Sequence, residues 1–131
     1  MTDRPKRVTV LLVEDHADSR HMYAEFLRME FTVVEAEDGL GALDAMRTTR
    51  PDIVVTDLAL PRMDGFELVE RMRADKRLRD VPVIALSGYS GPEHEARARE
   101  VGTDVLLLKP CLPDELARAV ASAASSRKDT R

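Results

Sequence analysis

The sequence predicts an α/β fold: a five-stranded parallel sheet with helices on both faces. Three observations support this prediction. Five apolar runs of strand length recur along the chain, stretches with helical spacing separate them, and four of the runs are almost wholly apolar. Because each helix must pack back on the sheet before the next strand begins, the alternation indicates parallel strands joined by right-handed crossovers.

The five predicted strands are rich in valine, isoleucine and leucine, which suit a pleated and buried position. The second run also contains Thr32 and Glu35, which indicates a strand at the edge of the sheet, whereas the other four have the composition of buried strands. In chain order the strands are VTVLLV from Val8, FTVVEA from Phe31, DIVVTD from Asp52, VPVIALS from Val81 and DVLLLK from Asp104.

Apolar residues between the strands recur three or four positions apart, as they do on one face of a helix. The Ser-Gly-Pro stretch at residues 90–92 and Pro113 mark the starts of the fourth and fifth helices, because proline is favoured in the first turn. The end of the chain reads SSRKDTR, so we expect a single domain over residues 1–124 and a disordered tail over residues 125–131.

Composition limits the classes of function. The chain has 131 residues, and its 20 basic and 24 acidic side chains give a net charge of −4, which argues against direct binding to nucleic acid. The single cysteine, Cys111, excludes an internal disulfide and is expected to be a small buried residue. Too few apolar residues precede Glu14 for a signal peptide or a membrane span, so we expect a cytoplasmic protein with no membrane partner.

Reactive side chains follow four of the five strands. In open parallel sheets, ligands bind beyond the carboxyl ends of the strands. Taken singly, each residue also has a structural explanation, as an acid at a helix N-terminus, a turn residue or a solvated strand end. Their coincidence at one edge favours a site. The residues are Glu14 and Asp15 after the first strand, Asp57 at the third, Ser87 at the fourth and Lys109 at the fifth.

Three converging carboxylates cannot all stay ionised unless a cation is present or their pKa values rise. Oxygen donors without a Cys or His pair favour Mg²⁺ over zinc. If a metal bridges Asp57 to a phosphoryl group, Lys109 offsets phosphoryl charge and the Ser87 hydroxyl donates to a phosphoryl oxygen. Asp57, at the end of a rigid strand, would then be the nucleophile that forms an aspartyl phosphate.

Four motifs in this order resemble the receiver domain of response regulators: VEDHADSR, TDLALPRMDG, ALSGY and LLLKP, which follow the first, third, fourth and fifth strands. The resemblance covers residues 6–124 and implies a flavodoxin-like sheet with strand order 2-1-3-4-5. It also implies that Asp57 accepts phosphate from a phosphohistidine on a histidine kinase or histidine phosphotransfer protein. The protein would then be a signalling phosphoacceptor, with catalysis only of its own phosphorylation and dephosphorylation.

The resemblance assigns further roles. Ser87 and Lys109 would contact the phosphoryl group, and the Lys109–Pro110 peptide bond would be cis. Gly65 would ease the entry into the third helix. The implied Mg²⁺ ligands are Asp15, Asp57 and the backbone carbonyl of Ala59, with Glu14 acting largely through water.

One residue departs from the family pattern in a way that affects signalling. Leu106 stands three positions before the lysine, where the family has Tyr or Phe, so no aromatic ring can report phosphorylation there. We expect the loop after Ser87 and the sparsely apolar fourth helix to move instead. The output would be altered binding of a protein target through the fourth helix, fifth strand and fifth helix. Both a diffusible regulator and a phosphorelay intermediate fit this sequence.

The same fold supports three other functions. A phosphohydrolase of the haloacid-dehalogenase type also uses Mg²⁺ and a nucleophilic Asp, but it needs a second Asp at the position of Ala59. A flavin-binding electron carrier needs a phosphate loop after the first strand, where EDHADSR would repel phosphate. A receiver-like adaptor that binds partners without phosphorylation is the alternative that Leu106 leaves open.

Overall fold

The computed structural model describes residues 7–129, and within this range five strands alternate with five helices. The strands are β1 (Thr9–Val13), β2 (Thr32–Ala36), β3 (Ile53–Asp57), β4 (Val83–Ser87) and β5 (Val105–Leu108). The helices are α1 (Ala17–Leu27), α2 (Gly39–Thr48), α3 (Gly65–Ala74), α4 (Pro92–Val101) and α5 (Pro113–Asp129). All five strands and all five helices therefore occur where the sequence predicts them.

The strands form one parallel sheet in the order β2-β1-β3-β4-β5. This order confirms the predicted 2-1-3-4-5 topology and places β2 at one edge, as its polar residues indicated. The connection from β2 to β3 crosses to the other side of β1. β1 and β3 are therefore parallel neighbours with their carboxyl ends side by side. The sheet therefore brings the residues after β1, β3, β4 and β5 to one edge.

Side chains of β1 alternate between two apolar layers, as a strand requires. Val10 and Leu12 pack in the layer that includes residues of α1 and α5, whereas Leu11 and Val13 pack with residues of α2 and α3. All four are essentially buried, and each contributes roughly 1.5–3 kcal/mol through removal of apolar surface from water. The sheet is thus covered by helices on both faces.

Helix α4 is the most weakly packed of the helices. It begins at Pro92 and ends at Val101, and Gly102, which caps it, has a left-handed φ of 108° that suits glycine. Ala98 is its one buried residue, and it joins a small cluster with Phe66 and Ala85. Few buried apolar contacts hold this helix, in agreement with its sparse apolar residues.

Two predictions about the end of the chain need correction. β5 is only partly buried, and Leu108 is 48% exposed, because β5 forms the second edge of the sheet. The tail predicted to be disordered from residue 125 is helical up to Asp129, because α5 continues through the alanine-rich stretch that precedes it. Residues 130 and 131 lie outside the described range.

Among the described residues, no helix is both long and apolar enough to cross a membrane.

Cys111 should react slowly with thiol reagents in the native protein. Its side chain is buried, as the sequence predicts, and burial together with nearby Glu115 raises the pKa of the thiol above its ordinary value of 9.0. We expect alkylation by iodoacetamide at pH 8 to be at least about tenfold slower in native than in urea-unfolded protein. Intact-mass time courses measure both rates, and equal rates would contradict the buried position.

Candidate functional site

The register of the sheet places three of the predicted site residues at the carboxyl ends of neighbouring strands. Asp57 is the last residue of β3 and lies opposite Leu86, and Ser87 ends β4 opposite Leu108. Glu14 follows β1 and continues its ladder, because its N–H donates to the Ala36 carbonyl at 3.0 Å. The carboxyl ends of these strands therefore form a common rim, as expected for a parallel sheet.

Lys109 joins two buried carboxylates. Its Nζ donates to Asp57 Oδ2 at 2.6 Å and to Glu14 Oε1 at 3.0 Å. Both acids are buried, and Glu14 has no exposed surface. Burial, the largest single influence, lowers the pKa of Lys109, but the hydrogen bonds with Asp57 and Glu14 outweigh it and raise that pKa above 10.5. The charged ammonium is therefore the cation that Asp57 requires in its buried position.

Asp15 lies beside this cluster with an unused acceptor. Its Oδ1 is buried and receives no hydrogen bond from the described residues, although His16 Nδ1 is 3.5 Å away. Potential ligand atoms of Glu14, Asp15 and His16 lie within 4.8 Å of one another. Because a buried carboxylate oxygen without a donor is costly, this arrangement suits a bound cation.

The loop after Asp57 is held by backbone contacts. The Ala59 N–H donates to Asp57 Oδ1 at 3.0 Å, a contact that sequence reasoning did not predict. The Gly65 N–H donates to the Leu58 carbonyl at 2.9 Å, and Asp64 caps α3 by accepting from the Glu67 N–H. The Lys109–Pro110 peptide bond is cis, as the resemblance implied. The Ala59 N–H therefore contacts one oxygen of the Asp57 carboxylate, and Lys109 contacts the other.

The rim of the site contains an ion pair that the sequence did not indicate. Arg62, which has a left-handed φ of 66°, donates from its guanidinium to Asp38. Asp38 also caps α2 by accepting from the Gly41 N–H at 2.7 Å. The hydrogen bond from Arg62, aided by that from Gly41, holds the pKa of Asp38 below its ordinary value of 3.8. The pair connects the loop before α2 with the loop before α3.

The hydroxyl of Ser87 is buried at the same rim, but its described hydrogen bonds point toward α4. Its Oγ lies 2.7 Å from His94 Nε2 and accepts from the Tyr89 N–H at 3.0 Å. Sequence reasoning did not identify this contact. The one available signal was the position of the histidine in the first turn of the predicted fourth helix. Direct contacts thus join Glu14, Asp57 and Lys109, while Ser87 has a separate network.

Residues 10–121 match the family model of the response regulator receiver domain. The chain belongs to this family. As a receiver domain it takes part in two-component or phosphorelay signalling. It is 30% identical over 103 residues to the polar-differentiation response regulator DivK of Brucella anthropi, an alignment that covers 78% of this chain and 84% of DivK.

Two further comparisons support the assignment. The receiver chain is 31% identical over 119 residues to hybrid signal transduction histidine kinase D of Dictyostelium discoideum, covering 91% of this chain but only 8% of the kinase. The chemotaxis response regulator CheY4 of Vibrio cholerae has a solved structure that superimposes with a TM-score of 0.84 at 29% identity, covering 89% of this chain and 98% of CheY4. The chain therefore spans a small part of the hybrid kinase and nearly all of CheY4.

Leu106 of this receiver domain is a residue of β5 and lies opposite Ala85 of β4. It is partly buried against the cluster of Phe66, Ala85 and Ala98. It also lines a groove of about 350 Å³ between α4 and β5, together with Leu108. The leucine side chain has no polar atom, so it offers no hydrogen bond to the loop after Ser87.

Proposed function

We propose that this receiver domain is a phosphoacceptor response regulator of a two-component or phosphorelay system. Asp57 would take the phosphoryl group from a phosphohistidine on a histidine kinase or histidine phosphotransfer protein. Phosphorylation would then alter binding of a downstream protein target. The observation that supports this best is the buried Asp57 carboxylate at the end of β3, with Lys109 Nζ 2.6 Å away.

The transfer step follows from this geometry. A carboxylate oxygen of Asp57 attacks phosphorus, the P–N bond of the phosphohistidine breaks, and the histidine nitrogen leaves with the bonding electron pair and takes up a proton. Lys109 offsets the negative charge that gathers on the phosphoryl oxygens, and Ser87 can donate its proton to one of them. Lys109 already contacts Asp57, so its ammonium needs little reorganisation before the reaction.

The residues beside Asp57 fit a magnesium ion. Asp57 and Asp15 would supply carboxylate oxygens, the Ala59 carbonyl a further ligand, and Glu14 a contact through water. The unpaired Oδ1 of Asp15 supports this fit, because a cation would satisfy it. When bound, Mg²⁺ supplies positive charge to phosphoryl oxygens during transfer.

The output surface that we propose consists of α4, β5 and α5. Leu108 and Leu112 are 48% and 65% exposed there, and Leu108 lines the groove beside Leu106. An exposed apolar group beside a weakly packed helix suits a binding surface whose shape changes with phosphorylation. Either a target protein or a second histidine phosphotransfer protein would meet this surface.

The proposal is tested with acetyl phosphate and Mg²⁺. We expect intact-mass spectrometry to show one phosphoryl adduct on the wild type and none on Asp57→Asn, since the amide is not a nucleophile for phosphorus. Adduct formation should need EDTA-free buffer, and Asp15→Asn should need a higher Mg²⁺ concentration, about tenfold, because one carboxylate ligand is lost.

Asp52→Asn is a matched control. Asp52 precedes β3 at the opposite end of the sheet and accepts from the Thr9 N–H at 2.8 Å, so its substitution should leave adduct formation intact. An adduct on Asp57→Asn equal to that on the wild type would place the acceptor elsewhere. A folded wild type that forms no adduct would favour the adaptor function, in which partners bind without phosphorylation.

A further inference from the structure

The Ser87 hydroxyl has a partner on α4 that connects the site to the helix. Ser87 is 1% exposed, and its Oγ lies 2.7 Å from His94 Nε2. The Tyr89 N–H donates to the same oxygen at 3.0 Å, and the Tyr89 carbonyl lies 3.1 Å from it. The hydroxyl therefore stands among one backbone donor and two potential acceptors.

A serine hydroxyl has a single proton to donate. The Tyr89 N–H already uses one acceptor position of Oγ, so the proton goes either to His94 Nε2 or to the Tyr89 carbonyl. The shorter distance, 2.7 Å against 3.1 Å, favours donation to His94. A phosphoryl oxygen on Asp57 would be a stronger acceptor than either, because it is charged.

His94 is itself fixed by aromatic packing. Its ring meets the edge of Phe66 with centroids 5.3 Å apart at 82°, and it lies 5.8 Å from the Tyr89 ring. Phe66 is buried and belongs to α3, and the Arg97 guanidinium covers its ring at 4.0 Å. The imidazole thus cannot follow the Ser87 hydroxyl without leaving these contacts.

This hydrogen bond adds to the ring contacts of His94 in holding the first turn of α4. Ala98 is the one buried residue of the helix, and it lies in the second half. The N-cap, Gly91, supplies no side-chain hydrogen bond to the helix. Loss of the His94 bond would therefore loosen the N-terminal turn while Ala98 keeps the rest of α4 in place.

We propose that His94 is a positioning residue that holds the Ser87 hydroxyl toward α4 and is released when Ser87 donates its proton to a phosphoryl group on Asp57. The inference rests on the proposed function and specifies how its signal leaves the site. Phosphorylation and the His94 bond compete for one proton, so forming one breaks the other. The release loosens α4 beside the groove that Leu106 lines.

The direction of the effect distinguishes this role from a supporting one. If Nε2 accepts the Ser87 proton, removal of His94 must strengthen binding of a phosphoryl mimic, because the competing bond is gone. If Nε2 instead carries a hydrogen and donates to Oγ, His94 helps Ser87 to face the phosphoryl group, and its removal must weaken binding. If His94 had only a structural role, its removal would leave the binding constant of the phosphoryl mimic unchanged.

The experiment uses beryllofluoride, a phosphoryl mimic, with Mg²⁺ on the full chain. His94→Phe keeps a ring against Phe66 without a hydrogen bond, and His94→Gln keeps an acceptor near the Nε2 position. We expect His94→Phe to bind beryllofluoride roughly fivefold more tightly than the wild type, the factor for one ordinary hydrogen bond, and His94→Gln to bind as the wild type does. Titration by tyrosine fluorescence or calorimetry gives both constants.

Amide hydrogen exchange over residues 92–101 provides the second readout. In the wild type, beryllofluoride should speed exchange in the first turn of α4, and free His94→Phe should already exchange at that faster rate. Equal or weaker beryllofluoride binding by His94→Phe, or unchanged exchange in α4, would overturn the role of His94 while leaving Asp57 phosphorylation intact. A wild type that binds no beryllofluoride would overturn the proposed function, and the role of His94 with it.

Discussion

Lys109→Met is expected to lower the free energy of unfolding by about 3 kcal/mol when Mg²⁺ is absent. The ammonium contacts two buried carboxylates, Asp57 at 2.6 Å and Glu14 at 3.0 Å. Methionine keeps most of the side-chain volume but leaves the two buried carboxylates without a cation. The free-energy cost of these unpaired buried charges exceeds the net stabilisation that the ion pairs provide in the wild type. Urea unfolding at neutral pH in EDTA measures the loss.

The double substitution Asp57→Asn/Lys109→Met provides the control. With one carboxylate neutralised, the loss of the ammonium leaves only Glu14 uncompensated, so Lys109→Met should cost about half as much in the Asp57→Asn background. An equal cost in both backgrounds would mean that Lys109 stabilises the fold through its hydrocarbon chain and not through Asp57.

The stability difference between the wild type and Lys109→Met is expected to depend on pH. Burial lowers the pKa of Lys109, but the hydrogen bonds with Asp57 and Glu14 raise it by more, so the folded pKa lies above 10.5. A raised pKa means that the stabilising contribution is complete below pH 10.5 and is lost as the pH rises through the folded pKa. The stability difference between wild type and Lys109→Met should therefore stay constant up to that pH and shrink above it.

Gly65→Ala is expected to destabilise the protein by about 3 kcal/mol and to slow phosphorylation of Asp57. A Cβ at residue 65 would lie 2.4 Å from the Asp57 carbonyl oxygen and 2.7 Å from the Leu58 Cα. Both neighbours are backbone atoms, so neither can rotate away. Relief of the overlap must shift β3 or the start of α3, and either shift moves the Asp57 carboxylate.

Gly88→Ala is the matched control for this effect. A Cβ at residue 88 meets nothing within 4 Å, so the substitution should change stability by no more than about 0.5 kcal/mol. Thermal unfolding of both variants, with the acetyl phosphate adduct as a second readout, makes the comparison. Similar melting temperatures for the two variants would show that the chain at residue 65 accommodates a side chain.

The strands and helices follow from the sequence because local pattern determines them. Apolar runs such as residues 53–55 at the start of β3 are buried on both faces, and Pro92 begins α4, as proline at a first helical position predicts. The exposure of β5 could not be predicted from its leucines, since it depends on which strand ends the sheet. The length of α5 was underestimated because a polar surface helix and a polar tail have similar composition.

The site was predictable to the extent that it consists of strand ends. Glu14, Asp57 and Lys109 meet because parallel strands bring their carboxyl ends together, and the sequence shows which residues stand there. The bond between Ser87 and His94 was not predictable in this way, because it depends on the angle of α4 and on a rotamer. Metal binding by Asp15 and Ala59 stays a prediction until it is measured.

The contacts of Lys109 also connect the site to the folding of the chain. Lys109 and Glu14 are 95 positions apart, and Lys109 and Asp57 are 52 apart. Since closing such long loops is entropically costly and slow, a nascent or partly folded chain without β5 cannot complete the constellation. An ion or phosphoryl mimic that needs all three residues binds the folded protein and not the unfolded chain. Its binding must therefore raise the free energy of unfolding, by an amount that grows with ligand concentration. The acceptor site is therefore complete only after β5, the last strand in the chain, has joined the sheet.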